Sequence, residues 1–423
     1  MALKRELGFL ELTLAGIGII LGAGIYALVG KAAAVAGEGV WVSFAISGVI
    51  ALFTALSYAE LSARFPKAGA EYVYVTHSLG DRWAFMMGLA LIVVGVASAA
   101  TVALGFGGYF FRIFGIDSLL AAIGIMLVCA GICWGGAKKT AQIAGAISLF
   151  EILGLIVIIA IGLPFLGKGF AIPSIDLLPG IFSGVALVFF AYLGFEELVR
   201  MAEETKNPKE MMPRALLLAI GISSVLYVLV AASALGILGA DTLGQSASPI
   251  ADVARSQFGD LGFLLLGGIA LLSTGNTVLF ILLATSRLVY GMARAGSLPK
   301  WFAHTESNQP RHALIASVIV STLLLLPRDI TFVAHMTDGL LFAVFAVINL
   351  SLLLIRLREK KPFTGFRSPI NIGKWPLLAV LGAITSAAML LFVEVVPLLL
   401  GVVGVVVAAF VWTRPKQARV AYK

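Results

Sequence analysis

The sequence predicts an all-α polytopic membrane protein with twelve transmembrane helices. Three observations predict it. Of 423 residues, 60% are hydrophobic and only 12% are charged, against about 45–50% apolar and about 25% charged in soluble domains. Mean hydropathy is +1.03. The apolar residues fall in long blocks separated by short basic loops, the pattern of a chain dissolved in lipid. A soluble enzyme, a nucleic-acid binder and a disulfide scaffold are excluded at this level. The net charge of +8 has its meaning in where the charges sit.

A membrane-crossing helix needs about 20 apolar residues. Twelve blocks serve: 9–36, 41–63, 83–111, 118–136, 141–164, 178–202, 213–238, 260–293, 313–327, 332–357, 375–393 and 396–413. The ninth is short, and the last two divide only around Pro397. Basic residues precede the first block, but no small-residue cleavage site follows a short apolar region. It is therefore read as a retained helix and not as a signal peptide. No segment between blocks is long enough for a soluble domain, so residues 1–423 form one transmembrane domain. With both termini cytoplasmic, 25 of the 30 Lys and Arg residues fall on the inner side. Only Lys31, Arg112, Lys168, Arg255 and Arg328 fall outside. That asymmetry is the positive-inside pattern, and a missed or invented helix would scramble it. Cys129 and Cys133 lie four apart in one block and read as small packing residues on one helix face. They are too few for a disulfide framework and have no further ligands for a metal.

Irregular backbone survives in lipid only where it lines a cavity. The first block carries Gly16, Gly18, Gly22 and Gly24 at mid-span, and Gly22-Ala23-Gly24 has almost no side chain to shield the backbone. A helix opened there would present free N–H groups, backed by the helix dipole, to a carboxylate. Glycines at this spacing also let helices pack closely. The sixth block supplies a second interruption in Phe189-Phe190-Ala191-Tyr192-Leu193-Gly194, followed by Glu196 and Glu197. Intramembrane carboxylates are costly and face a cavity or a partner. Breaks in the first and sixth helices match two five-helix repeats of inverted topology, 9–164 and 178–357, with two extra helices at 375–413.

Three stretches resemble the amino acid–polyamine–organocation superfamily. They are Gly16-x-Gly18-x3-Gly22-x-Gly24-Ile25-Tyr26, the run from Phe189 through Glu203-Glu204-x-Lys206-Asn207-Pro208 to Pro213-Arg214, and Ser286-Arg287-Leu288-x-Tyr290 to Leu298-Pro299. The resemblance runs in order from the first to at least the tenth helix. It implies a secondary transporter of amino acids or related amines with the inverted five-plus-five fold. It further implies that amides of Ala23, Gly24 and Ile25 hold the substrate carboxylate. Carbonyls of Ile20, Phe190 and Leu193 hold the α-amino group, and the Phe190 ring caps the substrate. Gly22 and Gly24 open the first helix, and Ala191 and Gly194 the sixth. Some proton-coupled relatives carry a lysine mid-way along the fifth helix in place of sodium. Here Glu151 stands at that position, able to carry a proton or to help bind sodium. Asn276 and Thr277, with Ser273 and Thr274, are the polar groups expected to face it. Glu196 reads as a proton-sensitive gate or as a carboxylate bonded within the bundle.

Other polar residues read more simply. Glu197, Glu203 and Glu204 are expected to pair with Lys206, Lys209 or Arg214, and Arg287 with an acid such as Glu60. His335 and Asp338 open the tenth helix as vestibule or interfacial residues, and 69–78 reads as an interfacial segment. No phosphate-binding lysine loop, zinc signature or nucleophile elbow occurs, so neither an enzyme nor an ATP-driven pump is expected. No cofactor is implied beyond a coupling proton or sodium ion. The expected partners are a small amino acid or amine and the lipid bilayer, without nucleic acid. Nothing marks an accessory subunit or a homodimer. The expected function is proton-coupled amino acid uptake across the plasma membrane. An exchanger, a polyamine carrier and a sodium symporter stay open within the class. A receptor on a transporter fold would need an output domain, which the sequence lacks.

Overall fold

The computed structural model describes residues 7–67, 70–134, 137–203, 205–305, 310–361 and 363–411, the side chains of 137–146, 203 and 411 excepted. Helix dominates. In order the helices are α1 (Phe9–Ile20), α2 (Gly24–Ala36), α3 (Val40–Arg64), α4 (Ala70–Ser78), α5 (Asp81–Phe114) and α6 (Ser118–Trp134). There follow α7 (Ala137–Gly162), α8 (Leu166–Gly169), α9 (Leu178–Val188), α10 (Phe195–Val199), α11 (Pro208–Leu238) and α12 (Ala240–Gln245). The last are α13 (Pro249–Arg294), α14 (Arg311–Leu323), α15 (Ile330–Arg358), α16 (Leu377–Met389) and α17 (Val395–Val411). A two-stranded antiparallel ribbon, β1 (Asn371–Ile372) with β2 (Trp375–Pro376), closes the loop before α16.

At least seven helical stretches are long and apolar enough to cross a membrane, among them Gly24–Arg64, Asp81–Phe114 and Ile330–Arg358. An eighth is added if Leu377–Phe392 and Val395–Phe410, bent by 116°, count as one. The chain is a multi-pass membrane protein. Local rules set several boundaries. Asp329 caps α15 by accepting the Thr331 and Phe332 amides at 2.8 and 3.2 Å. Gly115, left-handed at φ 72°, closes α5. Gly259, at φ 62°, kinks α13 one residue before the expected start of the eighth span.

The helices pack with α3 on α11, α5 on α13 and α15, and α16 on α15. Cys129 and Cys133 are buried, and their thiols lie 3.4 and 3.7 Å from the Gly275 and Leu279 carbonyls of α13. Their packing role is as expected. An aromatic core of Tyr58, Phe195 and Phe345 sits behind the middle of the chain, with ring centroids 5.2–5.9 Å apart.

Glu60 corrects one expectation. Its partners are Arg356, Arg64 at 2.7 Å and the Ser368 amide at 2.8 Å, not Arg287. Glu60 and Arg356 are both fully buried, and they tie α3 to α15 and to the loop before α16. Removing one member of such a pair strands the other charge, which costs about 3–5 kcal/mol. Glu60→Ala is therefore expected to lower the thermal midpoint of the purified protein in detergent by several degrees. A midpoint within a degree or so of wild type would show that the pair adds nothing net.

Candidate functional site

Helix α1 stops at Ile20 and α2 starts at Gly24, leaving Leu21, Gly22 and Ala23 between them. Helix α13 supports this interruption from behind. The Ala23 amide donates to Thr277 Oγ1 at 2.9 Å, and the Thr277 hydroxyl donates to the Ser273 carbonyl at 3.0 Å. Gly22 lies against the same threonine, where an added Cβ would fall 2.6 Å from Oγ1.

The second interruption has a different construction. After α9 the chain tightens into a 3₁₀ turn over Phe189–Tyr192, extends at Leu193 (φ −56°, ψ 146°) and turns at Gly194 with φ 115°. That last conformation belongs to glycine. Glu196 bends back so that Oε2 accepts the Gly194 amide at 2.9 Å. It thereby satisfies a donor that the lost helical turn would leave buried and unpaired.

The two interruptions are in backbone contact, and each depends on the other's small residue. A Cβ on Gly24 would lie 2.3 Å from Ala191 Cα, and one on Gly194 3.0 Å from the Ile19 carbonyl oxygen. Tyr227 of α11 joins them a second way: its hydroxyl donates to the Ile20 carbonyl and, at 2.8 Å, to the Ala191 carbonyl. One proton is shared between two acceptors. The sequence reading missed Tyr227, although a lone tyrosine in the apolar seventh span was the available signal. Tyr227→Phe leaves both buried carbonyls without this donor, a loss of about 1–3 kcal/mol. Transport at matched protein levels is expected to slow about tenfold. Initial uptake rates equal to wild type would show that the bridge is dispensable.

The coupling candidates fall behind the first interruption. Glu151 is buried on α7, and its Oε1 accepts Asn276 Nδ2 at 2.9 Å, while Oε2 has no hydrogen-bond partner among the described residues. Tyr26 of α2 donates to the Glu151 backbone carbonyl at 2.9 Å. The expected grouping of Glu151 with Asn276 is therefore present, and adjacent Thr277 holds the Ala23 amide. Ser273 is buried nearby, whereas Thr274 bonds the Ala270 carbonyl of its own helix at 2.7 Å. Ile20, Ala23, Ile25, Phe190 and Ala191 are buried at the two interruptions, and Leu193 is half-buried. Glu196 belongs to the second interruption.

Glu197 corrects another expectation. It pairs with Arg200 at 2.5 Å, and Arg200 also reaches Glu71 of α4 at 3.3 Å, in place of Lys206, Lys209 or Arg214. Glu204 and the side chain of Glu203 lie outside the described residues, as do Lys4, Arg5, Gly69, the side chains of Lys138 and Lys139, and the basic residues of the C-terminus.

The backbone around residues 21–23 thus touches that around 189–194, with Glu151 and Asn276 buried behind the first of these segments. The amino acid permease family matches residues 7–413. The chain belongs to that family. An uncharacterized transporter of Mycobacterium tuberculosis is 30% identical over 85% of this chain and 82% of its own. The branched-chain amino acid permease of Bacillus subtilis is 29% identical over 98% of this chain and 94% of its own. The methylthioribose transporter of the same organism is 28% identical over 87% and 85%. The permease is thus a transporter and not an enzyme.

Proposed function

We propose that this permease is a secondary active transporter that takes amino acids up across the plasma membrane with protons, by alternating access around the two interruptions. The observation that carries the reading is the back-to-back contact of Gly24 with Ala191 and of Gly194 with Ile19. Two half-helix ends meeting at one point supply amides for a carboxylate and carbonyls for an ammonium without any buried charge. Gly24 and Ile25 are assigned to the carboxylate, joined by Ala23 once its amide exchanges Thr277 Oγ1 for the substrate, and Ile20, Phe190 and Leu193 to the amine, with the Phe190 ring as cap. Glu151, next to Asn276 and Thr277, is assigned the coupling proton, and Glu196 a part in gating.

Twelve crossings with both termini cytoplasmic fit the distribution of lysine and arginine. The halves 9–164 and 178–357 are read as inverted repeats, with 375–413 as an addition. Packing of α3 on α11 and of α5 on α13 supports that division, because it joins the second and third spans of one half to their counterparts in the other. An amino acid substrate is favoured by the family and by the branched-chain amino acid permease among the relatives.

The test is uptake of a labelled amino acid mixture into sodium-free proteoliposomes with an inside-alkaline pH gradient. Accumulation that collapses with the gradient is the expected result. Accumulation that needs a sodium gradient would make the protein a sodium symporter. Exchange indifferent to both gradients would make it an antiporter.

A further inference from the structure

We propose that Asp338 of α15 is a proton-controlled latch: its carboxyl must be protonated for α15 to close over the second interruption, and Glu394 and His335 conduct that proton inward from the surface. The proposal rests on the reading of a transporter that opens and closes around the two interruptions.

Asp338 is fully buried, and neither of its oxygens has a hydrogen-bond partner among the described residues. The Phe190 amide lies beside it without forming a bond of ordinary geometry. Helical spacing puts Asp338, Phe342 and Phe345 on one face of α15. The Phe342 and Phe345 rings pack on Phe189 with centroids 4.6 and 5.8 Å apart, so this face covers the 3₁₀ turn of the second interruption. An ionised carboxylate here would have neither water nor a counter-charge, and buried groups escape that cost by taking a proton or by moving to water. Contact between α15 and the turn therefore requires neutral Asp338, and ionisation drives the two apart.

Helical spacing supplies the route for the proton. His335 lies one turn earlier on the same face. It is buried, with Nδ1 unpartnered and Nε2 3.8 Å from Glu394 Oε1. Glu394, just before α17, is 58% exposed. An exposed acid, a buried base and a fully buried acid thus follow one another. Glu394 passes a proton to Nε2 of the neutral imidazole, the imidazolium releases its Nδ1 proton, and the Asp338 carboxylate becomes a carboxylic acid. The imidazole is left as the Nε2–H tautomer, and the same steps in reverse reset it: when Asp338 ionises, its proton returns to Nδ1 and the Nε2 proton returns to Glu394. The charged groups facing His335 are Glu394 and Asp329, the latter capping α15. No ion pair joins Asp338 to another described residue. A substrate ammonium would need a passage to Asp338, whereas a proton needs only the imidazole.

Exchange of labelled for unlabelled amino acids is measured in proteoliposomes at fixed internal pH while the external pH is varied. The closed state holds one proton more than the open state at Asp338. Wild-type exchange is therefore expected to be fast at low external pH and to fall as pH rises, by up to about tenfold per unit. Asp338→Asn, neutral throughout, is expected to exchange at a rate independent of external pH. Asp338→Leu, an apolar group of similar size, should do the same and covers the case in which the asparagine variant fails to fold. His335→Gln should slow the response to a jump in external pH about tenfold or more, with the end points unchanged. A pH response retained by either Asp338 variant, or absent from wild type, would overturn the latch. A wild-type response in His335→Gln would overturn the route. Absence of any wild-type exchange would instead sink the amino acid reading, and the latch with it.

Discussion

Glu151→Gln is expected to abolish uphill accumulation while leaving substrate exchange intact. Glutamine has the size of glutamate and can keep a hydrogen bond to Asn276, which now meets Glu151 Oε1 at 2.9 Å. The packing around α7 should survive, since Tyr26 bonds the backbone carbonyl and not the carboxyl. What disappears is a group able to take up and release a proton in a site with almost no access to water. Each proton moved down one pH unit supports up to about tenfold accumulation. With a one-unit gradient the variant should fall from about that ratio to near unity. Internal and external label at steady state measure it, with exchange as the control for folding. Accumulation equal to wild type would make Glu151 a structural acid. Because Glu151 and Asp338 lie at different interruptions, the glutamine variant should keep the external-pH response of exchange, and that separates the two roles.

Part of this was legible in the sequence, and the divide has a physical basis. Backbone devices announced themselves. Gly22, Gly24 and Gly194 mark places where a side chain would collide, and a collision is a property of residue size that one sequence reveals. Polar residues in lipid were equally visible, so Glu151, Asn276 and Thr277 could be picked out, and they do meet around the first interruption. Partner choice was not legible. The sequence suggests Arg287 for Glu60 and Lys206, Lys209 or Arg214 for Glu197, and both fail because pairing of charges depends on which helix ends are neighbours. Glu60 lies 296 positions from Arg356, and no periodicity in either helix joins them. Tyr227 was passed over for the same reason. Its hydroxyl matters through carbonyls on two other segments, and carbonyls are the same at every residue. Asp338 reads from the sequence as a vestibule or interfacial residue, because the helix face covering the second interruption becomes evident only from the Phe189 contacts.

Gly24→Ala is expected to eliminate transport by about 100-fold or more, a barrier near 3 kcal/mol from one methyl group. The added Cβ would meet Ala191 Cα at 2.3 Å and Ala191 N at 3.1 Å. Backbone cannot rotate aside as a side-chain tip can, and overpacking of this kind costs about 1–3 kcal/mol or more. The two interruptions could then no longer meet. Each remains a short segment between well-packed helices, so the protein should still insert and purify. Gly18→Ala, on α1 just before the interruption, is the matched control. Its Cβ would fall 3.4 Å from Ser148 Oγ, an ordinary contact, and transport should stay within about twofold of wild type. The double variant Gly24→Ala with Ala191→Gly tests the mechanism itself. It removes the Ala191 methyl but not Ala191 Cα, so it should not rescue. Full rescue would mean that the clash is between side chains, and that backbone contact between the two interruptions is not what closes the transporter.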